Sequence, residues 1–299
     1  MDQIAFLRGG KWDGIWDRDK YRRFREAIIT AYGDIVFDEG PHKYYLNGKE
    51  MTCVSNVTHL FKEEFDSVQK ANETFMRNYD NESSKYYHMT ADEILAQWKS
   101  ISNNATTIGS ERHEFGESCF YFMTGRPDMV LDGFKDRITL DNDGNTVFEA
   151  VHPKEMAIAQ FWNDIPQCMV PILAENKVYD ERLSYSGTFD ILFYYDAELD
   201  GKPADCSGFV IFDYKTNRDL YKNFRGKRLL DPFTDLLDMS VNIYTLQLSL
   251  YQNCIENIGM KVIGRRLIWI KEDGSYEKVP LAEYVDKLRN WLTEHPIHG

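Results

Sequence analysis

Ser186-Gly187-Thr188-Phe189-Asp190-Ile191-Leu192-Phe193 and Phe209-Val210-Ile211-Phe212-Asp213-Tyr214-Lys215 are two β-rich runs around a polar loop holding Asp196, Asp200, Gly201, Pro203 and Gly208. β-branched and aromatic residues favour strands, and the Gly/Pro/Asp cluster favours a turn. The stretch predicts a hairpin with one acid on each strand. Side chains alternate along a strand, so Asp213 and Lys215 share a face. Two carboxylates and an ammonium converging at a sheet edge suit a divalent cation and a phosphate.

Outward from the hairpin, Pro171–Tyr179 reads as the preceding strand. Pro153 sits at a good first helical position, and the helix it opens runs through Met156, Phe161 and Trp162 to near Pro166. On the far side, Lys215, Arg218, Lys222, Arg225, Lys227 and Arg228 crowd into 14 residues of an otherwise acidic chain. A basic run is ordinarily a solvated face; beside a metal-binding candidate it is where a phosphate backbone would lie. Residues 239–258 then form a helix with Ile243, Leu246, Leu250, Cys254 and Ile258 as its buried stripe and Tyr244, Gln247 and Tyr251 on an adjoining face. Val262–Ile270 and Tyr276–Val279 are strands around the turn Glu272-Asp273-Gly274-Ser275, and an amphipathic helix through Leu288 and Leu292 closes the chain.

Residues 105–124 make a strong helix, with Ile108, Phe115, Cys119 and Phe122 as an apolar stripe and Gly125 as its stop. His113 and Glu117 stand four apart on one face. Gly109 and Gly116 cost helix propensity and permit close approach of a neighbour. His113-Glu114 lacks the second histidine of a zincin motif. Residues 126–150 read as connecting structure. Near the start, Trp16, Tyr21, Phe24, Ile28 and Tyr32 mark a helix with Arg18, Lys20, Arg22, Arg23 and Arg25, a solvated basic face or a nucleic-acid contact. Ile35–Phe37 and Lys43–Leu46 form a hairpin, Asn47-Gly48 is a strong turn, and Ser55 or Thr58 would cap a short helix. Residues 62–104 are polar and rich in aromatics, with a capping box at Thr90-Ala91-Asp92-Glu93. They form a solvated helical subdomain or an arch over the site.

The chain has 299 residues, 43% hydrophobic and 14% aromatic, enough for a packed core. Five scattered cysteines without a CxxC pair fit a reducing cytoplasm and argue against a cysteine metal site. No apolar run approaches the roughly 20 residues that span a bilayer, and the first residues lack signal-peptide features, so no membrane is expected. The formal charge of −13 argues against a broad polyanion-binding surface, although clustered acids in a site lower the total without excluding a local basic strip.

In chain order these features are His113 on a helix, Gly187-Thr188-Phe189-Asp190 on a strand, Asp213-Tyr214-Lys215 on the next strand and Gln247-Leu248-Ser249-Leu250-Tyr251 on a following helix. The set resembles the PD-(D/E)XK nuclease superfamily, specifically its RecB-like exonuclease branch, over roughly residues 105–270. Residues 35–60, with His42-x-Tyr44 leading into Ser55-Asn56-Val57-Thr58, resemble the front end of phage-encoded members. The resemblance implies an α/β fold: a restriction-endonuclease-like core of a mixed β-sheet flanked by helices over 105–299. An N-terminal hairpin and helical elaboration over 1–104 would precede it, the two forming one compact unit.

The resemblance also implies Mg²⁺- or Mn²⁺-dependent hydrolysis of DNA, with one or two ions. Asp190 and Asp213 would be the main ligands, the Tyr214 backbone carbonyl and His113 further ones. Lys215 would orient water or stabilise the transition state, with Gln247 and Tyr251 as positioning groups. Glu117 and Glu175 are further acids, either water-bridged to the metal or on the surface. Arg218, Lys222, Arg225, Lys227 and Arg228 would meet the DNA backbone. No cysteine follows Cys254, so the iron–sulfur cluster of some members is not expected. No Walker A motif is present, which points to single-stranded or free DNA ends and to a helicase or recombination, replication or repair partner. An endonuclease on the same core, restriction-like or structure-specific, is an alternative. A non-catalytic nucleic-acid-binding protein would show erosion of at least one of these positions, and none is eroded. A small-molecule hydrolase suits the −13 charge but not the basic run.

Overall fold

The computed structural model describes residues 5–297. In chain order the elements are β1 (Ala5–Arg8), α1 (Asp19–Tyr32), β2 (Ile35–Asp38), β3 (Lys43–Leu46), β4 (Lys49–Cys53), α2 (Val54–His59), α3 (Ser67–Asn78), α4 (Ala91–Met123), β5 (Ile138–Leu140) and β6 (Thr146–Ala150). There follow α5 (Pro153–Asp164), β7 (Met169–Asp180), β8 (Tyr185–Tyr195), β9 (Gly208–Lys215), α6 (Ser240–Asn257), β10 (Val262–Ile270), β11 (Tyr276–Pro280) and α7 (Val285–Glu294). The fold is α/β, with a mixed eight-stranded sheet flanked by helices. Among the described residues, no helix is long and apolar enough to cross a membrane.

The chain divides into two compact units. Residues 1–62 and 113–299 form one, and 63–112 the other. The N-terminal strands β2–β4 thus fall with the carboxylate-bearing sheet and not with the helical segment after them. α4 runs through both units. The sequence reads as two helices here, but 91–123 is one helix of 33 residues. Its start is the expected capping box: Glu93 accepts from the Thr90 N–H at 2.7 Å, and the Thr90 hydroxyl accepts from the Glu93 N–H at 3.3 Å. The expected apolar stripe breaks at Ile108, which is exposed.

The main sheet runs β11-β10-β9-β8-β4-β3-β2, with β7 also paired to β8. β8 and β9 are therefore central strands, not the sheet edge anticipated from the hairpin alone. Alternation along β9 sends Phe212 and Tyr214 into an aromatic cluster with Phe161, Trp162 and Phe193, and the Trp162 indole N–H donates to the Tyr214 hydroxyl at 2.9 Å. A second, antiparallel sheet of β1, β6 and β5 was not legible as strands in the sequence. Its members have three to five residues, too short for alternation to stand out.

Local signals mostly hold. Asn47 and Gly48 both take positive φ, 51° and 78°, and join β3 to β4 by a two-residue turn, so the expected hairpin is a three-stranded meander. Pro153 opens α5 behind a box in which His152 Nδ1 accepts from Lys154 N and Glu155 accepts from His152 N. The cap expected at Ser55 or Thr58 is not there; α2 already starts at Val54, and Thr58 donates to the Ser55 carbonyl from inside it. Part of the basic character of α1 is structural. Arg25 is buried with its guanidinium 3.6 Å from the Trp16 ring centre, and Lys20 bonds Asp196 at 2.8 Å.

Candidate metal and catalytic site

A fork in the sheet makes the site. Along one edge β8 pairs with β7 over almost its whole length. Along the other it pairs with β9 from Tyr195 back to Ile191, and with β4 only at Tyr185 and Ser186. Gly187-Thr188-Phe189-Asp190 span the gap between those two partners. Backbone and side-chain groups there must find partners outside the ladder. The Asp190 carboxylate accepts the Tyr214 N–H at 2.6 Å, where the next rung of the β8/β9 ladder would fall. The Thr188 hydroxyl lies 3.0 Å from the Tyr44 hydroxyl of β3.

Two glycines let aromatic rings close on this fork. A Cβ on Gly187 would come within 2.9 Å of the Tyr251 ring and 3.2 Å of Val54. A Cβ on Gly116 of α4 would stand 2.3 Å from the Tyr214 ring, well inside van der Waals contact. Both residues must be glycine for Tyr251 and Tyr214 to sit where they do. Gly109 meets nothing within 4 Å and has no such reason.

His113 is brought to the fork by α4. Its Nδ1 lies 3.3 Å from Asp190 Oδ2 and 3.7 Å from Glu175 Oε1. Glu175 belongs to β7, at the position facing Asp190, between the pairs Ala174↔Ile191 and Asn176↔Phe189. Its φ is 45°, a left-handed conformation that costs a non-glycine residue of order 1 kcal/mol or more and that collects at functional sites. Among the described residues, His113, Glu175 and Asp190 form a donor group whose ligand atoms all lie within 4.8 Å of one another. Donors held at about 2.1 Å around a six-coordinate cation stand about 3 to 4 Å apart, and both distances from His113 Nδ1 fall in that range. The set mixes an imidazole with carboxylates, donors that a divalent transition metal accepts.

Asp213 is buried beside this group. Its Oδ2 forms an ion pair with the Lys215 ammonium, and its Oδ1 has no hydrogen-bond partner. A buried carboxylate oxygen without a donor is rare and is a natural place for a cation. The electrostatics agree. Burial, reinforced by Asp190, pushes the Asp213 carboxyl up to about 6, against the pull of Lys215. Burial likewise raises Glu175 to about 7, with His113 opposing. For His113, burial alone would lower the imidazole, but Asp190 and Glu175 outweigh it and raise it to about 10. Asp190 is also penalised by burial, yet His113, Lys215 and the Tyr214 N–H hold it below the usual carboxylate range. Three acids here share too little positive charge, which a divalent cation would supply.

Lys215 is held from both sides. Beyond Asp213, its ammonium lies 4.5 Å from the Tyr244 ring centre, and the Tyr244 hydroxyl donates to Asn217 at 2.8 Å. Burial lowers the ammonium pKa, but the two aspartates outweigh that and keep it charged. The Gln247 amide donates to the Tyr251 hydroxyl at 3.3 Å, and Tyr251 is buried over Gly187. Tyr214, expected to offer its carbonyl, is fixed through its N–H on Asp190 and its hydroxyl on Trp162.

Of the further acids, Glu175 stands at the fork with His113 and Asp190. Glu117 accepts from the Tyr121 hydroxyl at 3.1 Å and lies outside the donor group. The strand pairing that raises Glu175 is a long-range fact. The local hint is an acid in the middle of Pro171-Ile172-Leu173-Ala174-Glu175. Arg218, Lys222, Arg225, Lys227 and Arg228 are all exposed. Arg228 already donates to the Thr234 and Asp235 carbonyls, so it closes its own loop. Tyr244 and Trp269 were not singled out as site residues by sequence. Trp269 stands opposite Lys215 in the parallel β9/β10 register and donates to the Asn217 carbonyl at 2.7 Å. No protein-family model matches the chain, and no curated protein matches it.

Proposed function

We propose that this protein is a metal-dependent nuclease of the PD-(D/E)XK type that hydrolyses DNA phosphodiesters from free ends. The observation that carries the reading is the fork. It gathers His113 and Asp190, with Asp213 and Lys215, from α4, β8 and β9, and seats Tyr251 of α6 against Gly187. These positions are far apart in sequence, and they are the ones the motif order requires. The eight-stranded mixed sheet with α4, α5 and α6 is compatible with a restriction-endonuclease-like core.

Asp190, His113 and Glu175 would hold Mg²⁺ or Mn²⁺, with Asp213 Oδ1 as a further donor. Such a cation supplies charge neutralisation and an acidified water when bound. The chain's own contribution is positioned charge. In-line attack on phosphorus builds negative charge on the phosphoryl oxygens. Lys215, fixed between Asp213 and the Tyr244 ring, presents an ammonium to that charge at no cost of reorganisation. The Gln247–Tyr251 pair keeps the wall of the fork in place. The exposed cations Arg218, Lys222 and Arg225 provide a local basic strip that the total charge of −13 conceals.

End-labelled linear single strands, linear duplexes and circular single strands, each with Mg²⁺, Mn²⁺ or EDTA, test the reading. Linear DNA should be degraded with either cation and left intact in EDTA. Cleavage of circles would replace end entry by endonucleolytic action. Intact linear DNA with both cations rejects the nuclease assignment.

A further inference from the structure

The chain beyond Lys215 carries a pattern besides its charge. Residues 216–239 pass from β9 to α6 without a regular element. Their base is fixed: the Asn217 carbonyl accepts from Trp269, its side chain accepts from Tyr244, and Leu220, Leu229 and Phe233 are buried. Between Leu220 and Leu229 the chain turns outward. There Tyr221 is 48% and Phe224 61% exposed, interleaved with Arg218, Lys222 and Arg225. Burial explains Leu220 and Leu229, but it does not explain two large rings left in water.

The rings are ordered with respect to the site. Lys215 lies against the Tyr244 ring, and Trp269 faces Lys215 across the β9/β10 register. Tyr221 meets the Trp269 ring edge-on, with centroids 6.0 Å apart. Phe224 follows three residues on, with the Arg225 guanidinium 5.1 Å from its ring centre. An aromatic series therefore leads away from Lys215 as far as Tyr221, and Phe224 follows it in the chain, Lys222 and Arg225 each being the next residue after an exposed ring. Rings stack on bases of any sequence, and adjacent cations meet the phosphates. In a duplex the base faces are already stacked, so such a surface discriminates in favour of unpaired nucleotides.

The geometry points to Tyr221 and Phe224, backed by Trp269, as a stacking platform for unpaired bases of the DNA strand whose phosphate reaches Lys215. The inference rests on the nuclease reading of the carboxylate site and adds strand preference to it.

The test is fluorescence anisotropy with the full chain in Ca²⁺. The probes are a labelled 12-nucleotide oligothymidylate, an abasic strand of equal length and charge, and a blunt duplex. The wild type should bind oligothymidylate more tightly than the abasic strand. Tyr221→Ala with Phe224→Ala should weaken oligothymidylate binding by about 10- to 100-fold, leaving the abasic strand and the duplex within about twofold. Tyr221→Phe with Phe224→Tyr keeps both rings and should keep the preference, which separates stacking from a folding defect. Unchanged oligothymidylate binding in the alanine pair overturns the platform, and so does an equal loss on all three probes. If the wild type cleaves DNA dependent on Asp213 while the alanine pair keeps its preference, only the platform falls. If the wild type neither binds nor cleaves DNA, the nuclease reading falls with it.

Discussion

α4 is one helix with two different lives. From Ala91 to Arg112 only Ile94 and Arg112 are buried, and Ile101 and Ile108 stand in water. From His113 to Met123, Phe115, Cys119, Phe120, Phe122 and Met123 are all buried, and His113 reaches the carboxylates. The unit boundary falls between Arg112 and His113. The wider contrast is the same: residues 63–112 contain buried hydrophobics only at Ala71 and Ile94, whereas the other unit contains the rest of the core. Helical hydrogen bonding is indifferent to that change, because it is satisfied along the backbone in either half. What differs is the reason for each side chain. Residues in the buried half are fixed by neighbours from distant strands; those in the exposed half answer mainly to helix propensity.

The sharpest way to break the contrast is chemical. Asp213→Ala or Asp190→Ala in the buried region should lower metal-dependent DNA cleavage by at least about a thousandfold, and Lys215→Met by at least about a hundredfold. Ile101→Ala or Ile108→Ala should leave cleavage within a few-fold, since both side chains are exposed and carry no chemical group that could act on a phosphodiester. Single-turnover rates in saturating Mn²⁺ measure both, and circular dichroism checks that each variant is folded. EDTA should abolish wild-type cleavage and added Mn²⁺ restore it. Comparable losses from the exposed substitutions would mean that the chemistry depends on the segment 63–112 as much as on the fork.

The next effect is on stability. Gly116→Ala improves helix propensity by about 1 kcal/mol, yet its Cβ would lie 2.3 Å from the Tyr214 ring. Tyr214 cannot yield easily. Its hydroxyl is held by Trp162, and it is packed against Phe161. Overpacking of this kind costs about 1 to 3 kcal/mol, so the net change in urea unfolding should be destabilising. Cleavage should fall too, because Tyr214 lies between Asp213 and Lys215 and its N–H holds Asp190. A stabilised Gly116→Ala would show that the Tyr214 ring is free to move.

These residues also mark the limit of what sequence discloses. The β8–β9 hairpin, the shared face of Asp213 and Lys215, and the helix carrying Gln247 and Tyr251 follow from alternation and periodicity, which are local. The fork does not. It exists because β4 takes Ser186 while β9 lets go beyond Ile191, and β4 is more than 130 residues upstream. Sequence left Glu175 beside Glu117 as a further acid, either water-bridged to the metal or on the surface, because its place opposite Asp190 is set by the β7/β8 register, including a bulge between Pro171 and Leu173. The sheet-edge expectation failed for the same reason: no local pattern tells a central strand that β10 will lie beside it. The extra glycine in α4 was visible, but which of Gly109 and Gly116 mattered depended on where Tyr214 would be.

Gly109 gives the smallest and cleanest test. It lies in the exposed half of α4, with nothing within 4 Å of the place its Cβ would take. Glycine inside a helix loses more backbone freedom on folding than alanine does, and no packing here compensates. Gly109→Ala should therefore stabilise by about 0.5 to 1 kcal/mol, opposite in sign to Gly116→Ala seven residues further along the same helix. The readout must report on α4 itself, since residues 63–112 are a separate compact unit and their opening need not be coupled to global unfolding. Hydrogen exchange at the amides of residues 100–111 meets that requirement, and protection there should rise about two- to fivefold. DNA cleavage should not change. If Gly109→Ala instead loosens these amides or slows cleavage, the helix must bend at Gly109 to work, and the exposed half has a purpose beyond propensity.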